Sequence, residues 1–132
     1  MSNRTTSTEQ AVELLKELIS IERVSRNEKN AADIVYNWFT GHNYTPERIC
    51  NNIICKSHYW NDSKPTILLN SHIDTVKPVS AWTKNPFEPV VEDGKLYGLG
   101  SNDAGASLVS LMHTFCNLDK VEQNYNMIFV AS

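Results

Sequence analysis

Two short apolar runs, "TILLN" at Thr66–Asn70 and "NMIFVAS" at Asn126–Ser132, alternate with stretches of helical periodicity, and this alternation constrains the fold more than any other feature. Ser7 and Gln10 have the spacing of a capping box, and Ala11, Leu14, Leu15 and Leu18 follow on one face, which predicts a first helix from about Thr8 to Ser20. Ser25 and Glu28 repeat that spacing ahead of Ala31, Ile34, Val35 and Trp38, and Gly41 stands where a left-handed C-cap is expected. "ERIC" and "NIICKSHYW" read as a hairpin about Asn51 and Asn52. In "KPTILLN", Pro65 marks the entrance to a run that reads as a central strand buried on both faces. Asp93-Gly94 signals a second hairpin, Leu108, Leu111, Met112 and Phe115 mark a third helix over Ala104 to Cys116, and "NMIFVAS" reads as one more buried strand. Helices alternating with strands make this an α/β chain.

Composition narrows what such a fold can do. With 132 residues the chain holds at most one domain, and 41% apolar content is ordinary for a globular protein. Twelve Lys plus Arg against 15 Asp plus Glu leave a net charge of -3, which supplies no electrostatic footprint for nucleic acid or an anionic membrane. No apolar run approaches the roughly 18 residues of a membrane span, and the polar opening "MSNRTTSTEQ" lacks the core of a secretory signal. Cys50, Cys55 and Cys116 form an odd set without CxxC spacing, as expected of reduced thiols in a cytoplasmic protein.

The chemistry concentrates in two places. "SHIDTV", Ser71–Val76, closes the strand that begins at Thr66 with a histidine and an aspartate two residues apart, hence on one face. Ligands bind beyond the carboxyl ends of strands in open α/β sheets. "GLGSNDAGAS", Gly98–Ser107, places Asp103 among three glycines just ahead of the third helix, whose dipole favours an ionised carboxylate there. His72 alone reads as a core histidine, and Asp103 alone as a helix cap. His42, His58 and His113 lack paired carboxylates and read as structural or solvated, while Trp82 and Phe87 read as loop-packing anchors.

"LLNSHIDTVKP" at Leu68–Pro78, Trp82 with "PFEP" at Pro86–Pro89, and "DGKLYGLGSNDAG" at Asp93–Gly105 together resemble the metallopeptidase M20 family, most nearly its acetylornithine deacetylases, beside succinyl-diaminopimelate desuccinylase and carboxypeptidase G2-like enzymes. The resemblance implies a zinc-peptidase-like three-layer α/β/α fold with a mixed, mainly parallel sheet. Residues 1–132 would be the N-terminal portion of the catalytic domain, with its C-terminal half and the lid domain that makes a homodimer lying outside the sequence. It also implies two divalent metal ions, Zn²⁺ before Co²⁺, with His72 a terminal ligand, Asp103 the bridge between them, and Asp74 the catalytic-site carboxylate that orients the His72 imidazole. Ala104 and Gly105 depart from the lysine and paired glycines often found after the bridging aspartate.

The same resemblance implies a hydrolase that removes the acyl group of a small N-acyl amino acid, N-acetyl-L-ornithine in arginine biosynthesis first, with succinylated ornithine, citrulline or diaminopimelate and peptides as alternatives. The family's Glu-Glu pair, general base and zinc ligand, would come after a strand matching "NMIFVAS", so residues 1–132 alone are expected to be inactive. A dinucleotide site fits poorly, because Asp103 stands where the third glycine of the fingerprint belongs and would repel a pyrophosphate. A non-catalytic binding fragment is the remaining reading from another class.

Overall fold

The computed structural model describes residues 5–132, so the first four residues of the polar opening lie outside it. The element order is α1 (Ser7–Ile19), α2 (Lys29–Gly41), β1 (Glu47–Ile49), β2 (Asn52–Lys56), β3 (Thr66–Ser71), β4 (Val90–Glu92), β5 (Lys95–Tyr97), α3 (Ser107–Leu118) and β6 (Asn126–Ala131).

Four strands form one mixed sheet in the order β1-β2-β6-β3, and β4 with β5 forms a separate hairpin. Within this sheet β3 and β6 form the parallel pair, where Leu68 faces Ile128 and Ser71 faces Ala131. The β1–β2 and β2–β6 pairs are antiparallel. The reason lies in the connections: β1 reaches β2 through a tight turn, which allows only antiparallel pairing, whereas β3 reaches β6 through a crossover that contains α3.

The helices bury one face each. Leu14, Leu15, Leu18 and Ile19 from α1, Ala31, Ala32, Val35 and Phe39 from α2, and Leu108, Val109, Met112 and Phe115 from α3 share one core with Ile53, Cys55, Met127, Phe129 and Ala131 of the sheet. Phe39 lies edge-on to Phe115 with centroids 5.8 Å apart and within 5.1 Å of Phe129, tying two helices to the central strand. The alternate residues Ile54, Ile128 and Val130 are half-buried and Leu68 is exposed, because among the described residues all three helices lie against the other face. The described residues thus build two layers, one of helices and one of sheet.

Several local expectations shift. The central strand is β6, paired on both edges by β2 and β3; β3 is an edge strand whose Ile67 and Leu68 are 45% and 60% exposed. Three apolar residues in a row do not distinguish a central strand from an edge strand that keeps only one face covered. The α1 capping box is built by Thr6 and Glu9 rather than Ser7 and Gln10: Glu9 N–H donates to Thr6 Oγ1, and Thr6 N–H donates to the Glu9 carboxylate. In α2, Glu28 occupies the N-cap without a side-chain hydrogen bond, and the left-handed residue after the helix is Asn43 rather than Gly41. The β1–β2 turn lies at Cys50 and Asn51, one residue earlier than expected, since Ile49 pairs with Asn52; Cys50 takes the positive φ of 56°. The β4–β5 turn has positive φ at both Asp93 and Gly94, as its sequence requires.

Candidate metal centre

The site grows from the end of β3. Past Ser71 the chain remains extended, with Ile73 N–H donating to the Ser132 carbonyl at 2.8 Å and Ser132 N–H to the Ser71 carbonyl at 3.1 Å. Thr75 then forms a parallel bridge with Val24 in the α1–α2 connection: its N–H donates to the Arg23 carbonyl at 2.8 Å and its carbonyl accepts from Ser25 N–H at 3.1 Å. His72 and Asp74 are thereby fixed on both sides by backbone pairing.

The second half comes from the glycine-rich segment. Gly100 has a φ of +71°, and a Cβ there would lie 2.4 Å from Thr75 Cγ2 and 2.9 Å from Arg23 Nη2, so no other residue fits without displacement. Residues Ser101–Ala106 form a wide turn in which Asp103 (φ -115°, ψ 95°) and Ala104 are not helical, and the Asp103–Ala104 peptide bond is cis. The third helix begins at Ser107, with Ala106 at its N-cap position. Asp103 therefore does not cap α3, and its carboxylate is turned toward His72.

The structure brings the three expected residues together. Asp103 Oδ1 lies 2.9 Å from His72 Nε2, across 31 residues of sequence. On the other side of the ring, Nδ1 lies 2.9 Å from the Asp74 carbonyl and 3.1 Å from its Oδ1. Both ring nitrogens face oxygen acceptors, and a neutral imidazole can donate from only one of them. The arrangement is satisfied by a second proton or by a metal cation between Nε2 and Asp103. Partial burial pulls the His72 pKa down, but the hydrogen bonds to Asp103 and to the Asp74 carbonyl, with the two carboxylate charges, carry it above its ordinary value of 6.5.

Two residues that sequence reasoning did not assign to the site complete the support. Ser25, read as a helix cap, donates from its hydroxyl to Asp74 Oδ2. Arg23 is 1% exposed, and its guanidinium donates to the Ile73 carbonyl at 2.7 Å and to the Gly100 carbonyl at 3.1 Å. Burial holds Arg23 below its ordinary pKa, partly offset by the charge of Asp74. A cleft of ≈ 410 Å³ opens over His72, Asp74 and Asp103, with Trp82 also in its lining.

The remaining histidines are elsewhere. His42 stacks on Trp38 at 3.9 Å and His58 on Tyr44 at 4.1 Å, while His113 Nδ1 bonds the Val109 carbonyl. Among the described residues no three His, Cys, Asp or Glu side chains are grouped to hold a metal ion, so His72 and Asp103 offer a pair of donors rather than a full set. No helix of the described residues is long and apolar enough to cross a membrane.

Residues 68–132 match Peptidase family M20/M25/M40. Among curated proteins, the chain is 40% identical over 86 residues to an uncharacterized metallohydrolase of Methanocaldococcus jannaschii, an alignment covering 61% of this chain and 20% of that protein. It is 27% identical over 119 residues to a succinyl-diaminopimelate desuccinylase of Wolbachia pipientis, covering 87% of this chain and 30% of the other. The chain thus spans a third or less of the length of these relatives. Among solved structures, the aminoacylhistidine dipeptidase of Vibrio alginolyticus superposes with a TM-score of 0.71 at 18% identity, over 100% of this chain and 29% of that one. A dinuclear metal-binding M20 peptidase of Bacillus subtilis gives 0.69 at 16% identity, over 95% and 35%. At such identities the structures establish the fold alone, whereas the segment that carries His72, Asp74 and Asp103 is matched in sequence to Peptidase family M20/M25/M40.

Proposed function

We propose that this chain is part of an M20-type, metal-dependent amidohydrolase that removes an acyl group from an N-acyl amino acid. The observation that carries the reading is the pair of donors His72 Nε2 and Asp103 Oδ1, 2.9 Å apart on the floor of one cleft, with Asp74 on the far nitrogen of the same ring. This donor set fits divalent zinc or cobalt, which take imidazole nitrogen and carboxylate oxygen, and the Asp74 carboxylate supplies the partner that a ligating histidine requires on its other nitrogen. A zinc site takes at least three protein ligands, so residues besides these two complete it. A bound pair of such ions supplies a Lewis acid for the amide carbonyl and a water of lowered pKa.

The chain's own residues have separate tasks. His72 and Asp103 hold the cation, with the anionic Asp103 offsetting repulsion where two dications are close. Asp74, itself held by Ser25, fixes the ring and keeps Nδ1 protonated so that Nε2 presents its lone pair. Relatives named succinyl-diaminopimelate desuccinylase support a succinylated amino acid as the substrate ahead of acetylornithine.

Titrating the metal-free whole protein with Co²⁺ and following its visible absorption tests the metal reading. A band that is lost in both His72→Ala and Asp103→Ala is the expected result; an unchanged band in the double variant overturns it. For the substrate, release of free amine from N-succinyl and N-acetyl diamino acids by the metal-loaded whole protein should favour the succinyl compounds, and a preference for acetylornithine would restore the other order.

A further inference from the structure

Among the described residues Arg23 is the one arginine that is fully buried. Its guanidinium does not meet a carboxylate at hydrogen-bond distance. It donates instead to two backbone carbonyls: that of Ile73, between His72 and Asp74, and that of Gly100, three residues before Asp103. These are the two segments that deliver the metal donors, and they are otherwise unconnected in sequence. The main chain of Arg23 is engaged as well, through its carbonyl on Thr75 N–H. Space for the head group is made by glycines: a Cβ on Gly100 would come within 2.9 Å of Nη2 and one on Gly105 within 3.1 Å. Gly105 N–H in turn donates to the Gly100 carbonyl at 2.9 Å, so Arg23 and Gly105 share one acceptor. Burying a guanidinium is costly, and its Nε has no partner. A residue needed only for packing would be better served by an apolar side chain of the same volume.

We propose that Arg23 is a positioning residue that sets the spacing of the His72 and Asp103 segments, and with it the separation of the two metal donors. The proposal rests on the metal reading above for its consequence, though not for its geometry. A planar fork can hold two carbonyls at once; an ammonium in the same place can hold one well. The test uses the whole protein of which this chain is proposed to be part, with Arg23→Lys and Arg23→Met. Three quantities are read: the thermal midpoint, amide hydrogen exchange resolved by residue, and the Zn²⁺ dissociation constant from competition with a chromophoric chelator. The expected result is exchange at Gly105 accelerated at least about tenfold relative to the core strand β6, together with Zn²⁺ affinity weakened about tenfold, with Lys recovering part of both. Met112→Ala, which lowers the thermal midpoint from within the core, should leave Zn²⁺ affinity unchanged. Uniform acceleration of exchange across the chain, or failure of both Arg23 variants to fold, would overturn the proposal in favour of a purely structural role. If the unsubstituted whole protein takes no Zn²⁺, the metal reading fails, and the localised exchange still decides whether Arg23 positions these segments.

Discussion

At the scale of single residues, the site separates two carboxylates by what each touches. Asp74 reaches His72 only through Nδ1 and is held by Ser25, whereas Asp103 faces Nε2 and is 90% exposed in the cleft. Asp74→Ala should therefore weaken metal binding about 10- to 100-fold, the usual effect of removing a histidine's outer partner, while Asp103→Ala removes a donor and should abolish the tight site. Isothermal titration of the whole protein with Zn²⁺ distinguishes them, and equal, negligible losses would refute the assignment. The thiols make a second prediction. Burial pushes Cys55 up to about 12 and Cys116 up to about 11, from an ordinary value of 9.0, while Cys50 is exposed. Mass spectrometry after brief iodoacetamide treatment of the native chain at pH 8 should find one modified cysteine, Cys50. Because the buried thiols stay neutral in the fold while the unfolded chain ionises, their contribution is complete below about pH 9 and declines as pH rises toward their folded values, by up to about 1.4 kcal/mol per pH unit for each group. Urea midpoints at pH 8 and pH 10 should show a smaller drop in Cys55→Ala than in the parent.

At the scale of elements, the joint between α3 and the segments flanking the β1–β2 pair rests on Asp119. It is 4% exposed at the C-cap of α3 and accepts from Tyr44 Oη at 2.9 Å, from His58 N–H at 3.0 Å and from Ser57 Oγ. Replacing it by alanine strands three donors, of which at least two are buried, so Asp119→Ala should cost about 3 kcal/mol. Asp119→Asn retains an acceptor and should cost less. Chemical denaturation measures both, and equal stability of Asp119→Ala and parent would show that the three donors find water instead. The first helix is simpler: its box is complete at Thr6 and Glu9, so Thr6→Ala should cost about 1 kcal/mol, whereas Ser7→Ala, the cap suggested by sequence, should be nearly neutral.

For the whole molecule, the sheet is covered by helices on one face only, and the outer edge of β3 has no strand partner among the described residues. Leu68 at 60% and Ile67 at 45% exposure lie along that edge, a row of free N–H and C=O groups beside apolar side chains. The purified 132-residue chain should self-associate at micromolar concentration. Leu68→Lys, on the uncovered face, should shift it toward monomer in analytical ultracentrifugation without lowering its thermal midpoint. A parent that stays monomeric to high concentration would show that the edge is protected some other way.

The sequence by itself determined which residues face the core, where the chain turns at Asp93-Gly94, and which short motifs carry imidazole and carboxylate, because a helical or extended period is written in neighbouring residues and a left-handed turn in a single glycine. It also placed His72 and Asp74 on one side of a strand end, since a spacing of two fixes a shared face. Other features were decided only by the tertiary structure. β6 rather than β3 is central because strand order depends on which connection crosses over, and no local pattern records that. Asp103 leaves the α3 N-terminus for the imidazole because a contact across 31 residues prevails over the local cap. Arg23 lies within "ISIERVS", and only the converging carbonyls of Ile73 and Gly100 give it a reason to be inside. A buried charge is specified by its partners, and these partners lie 50 and 77 residues away.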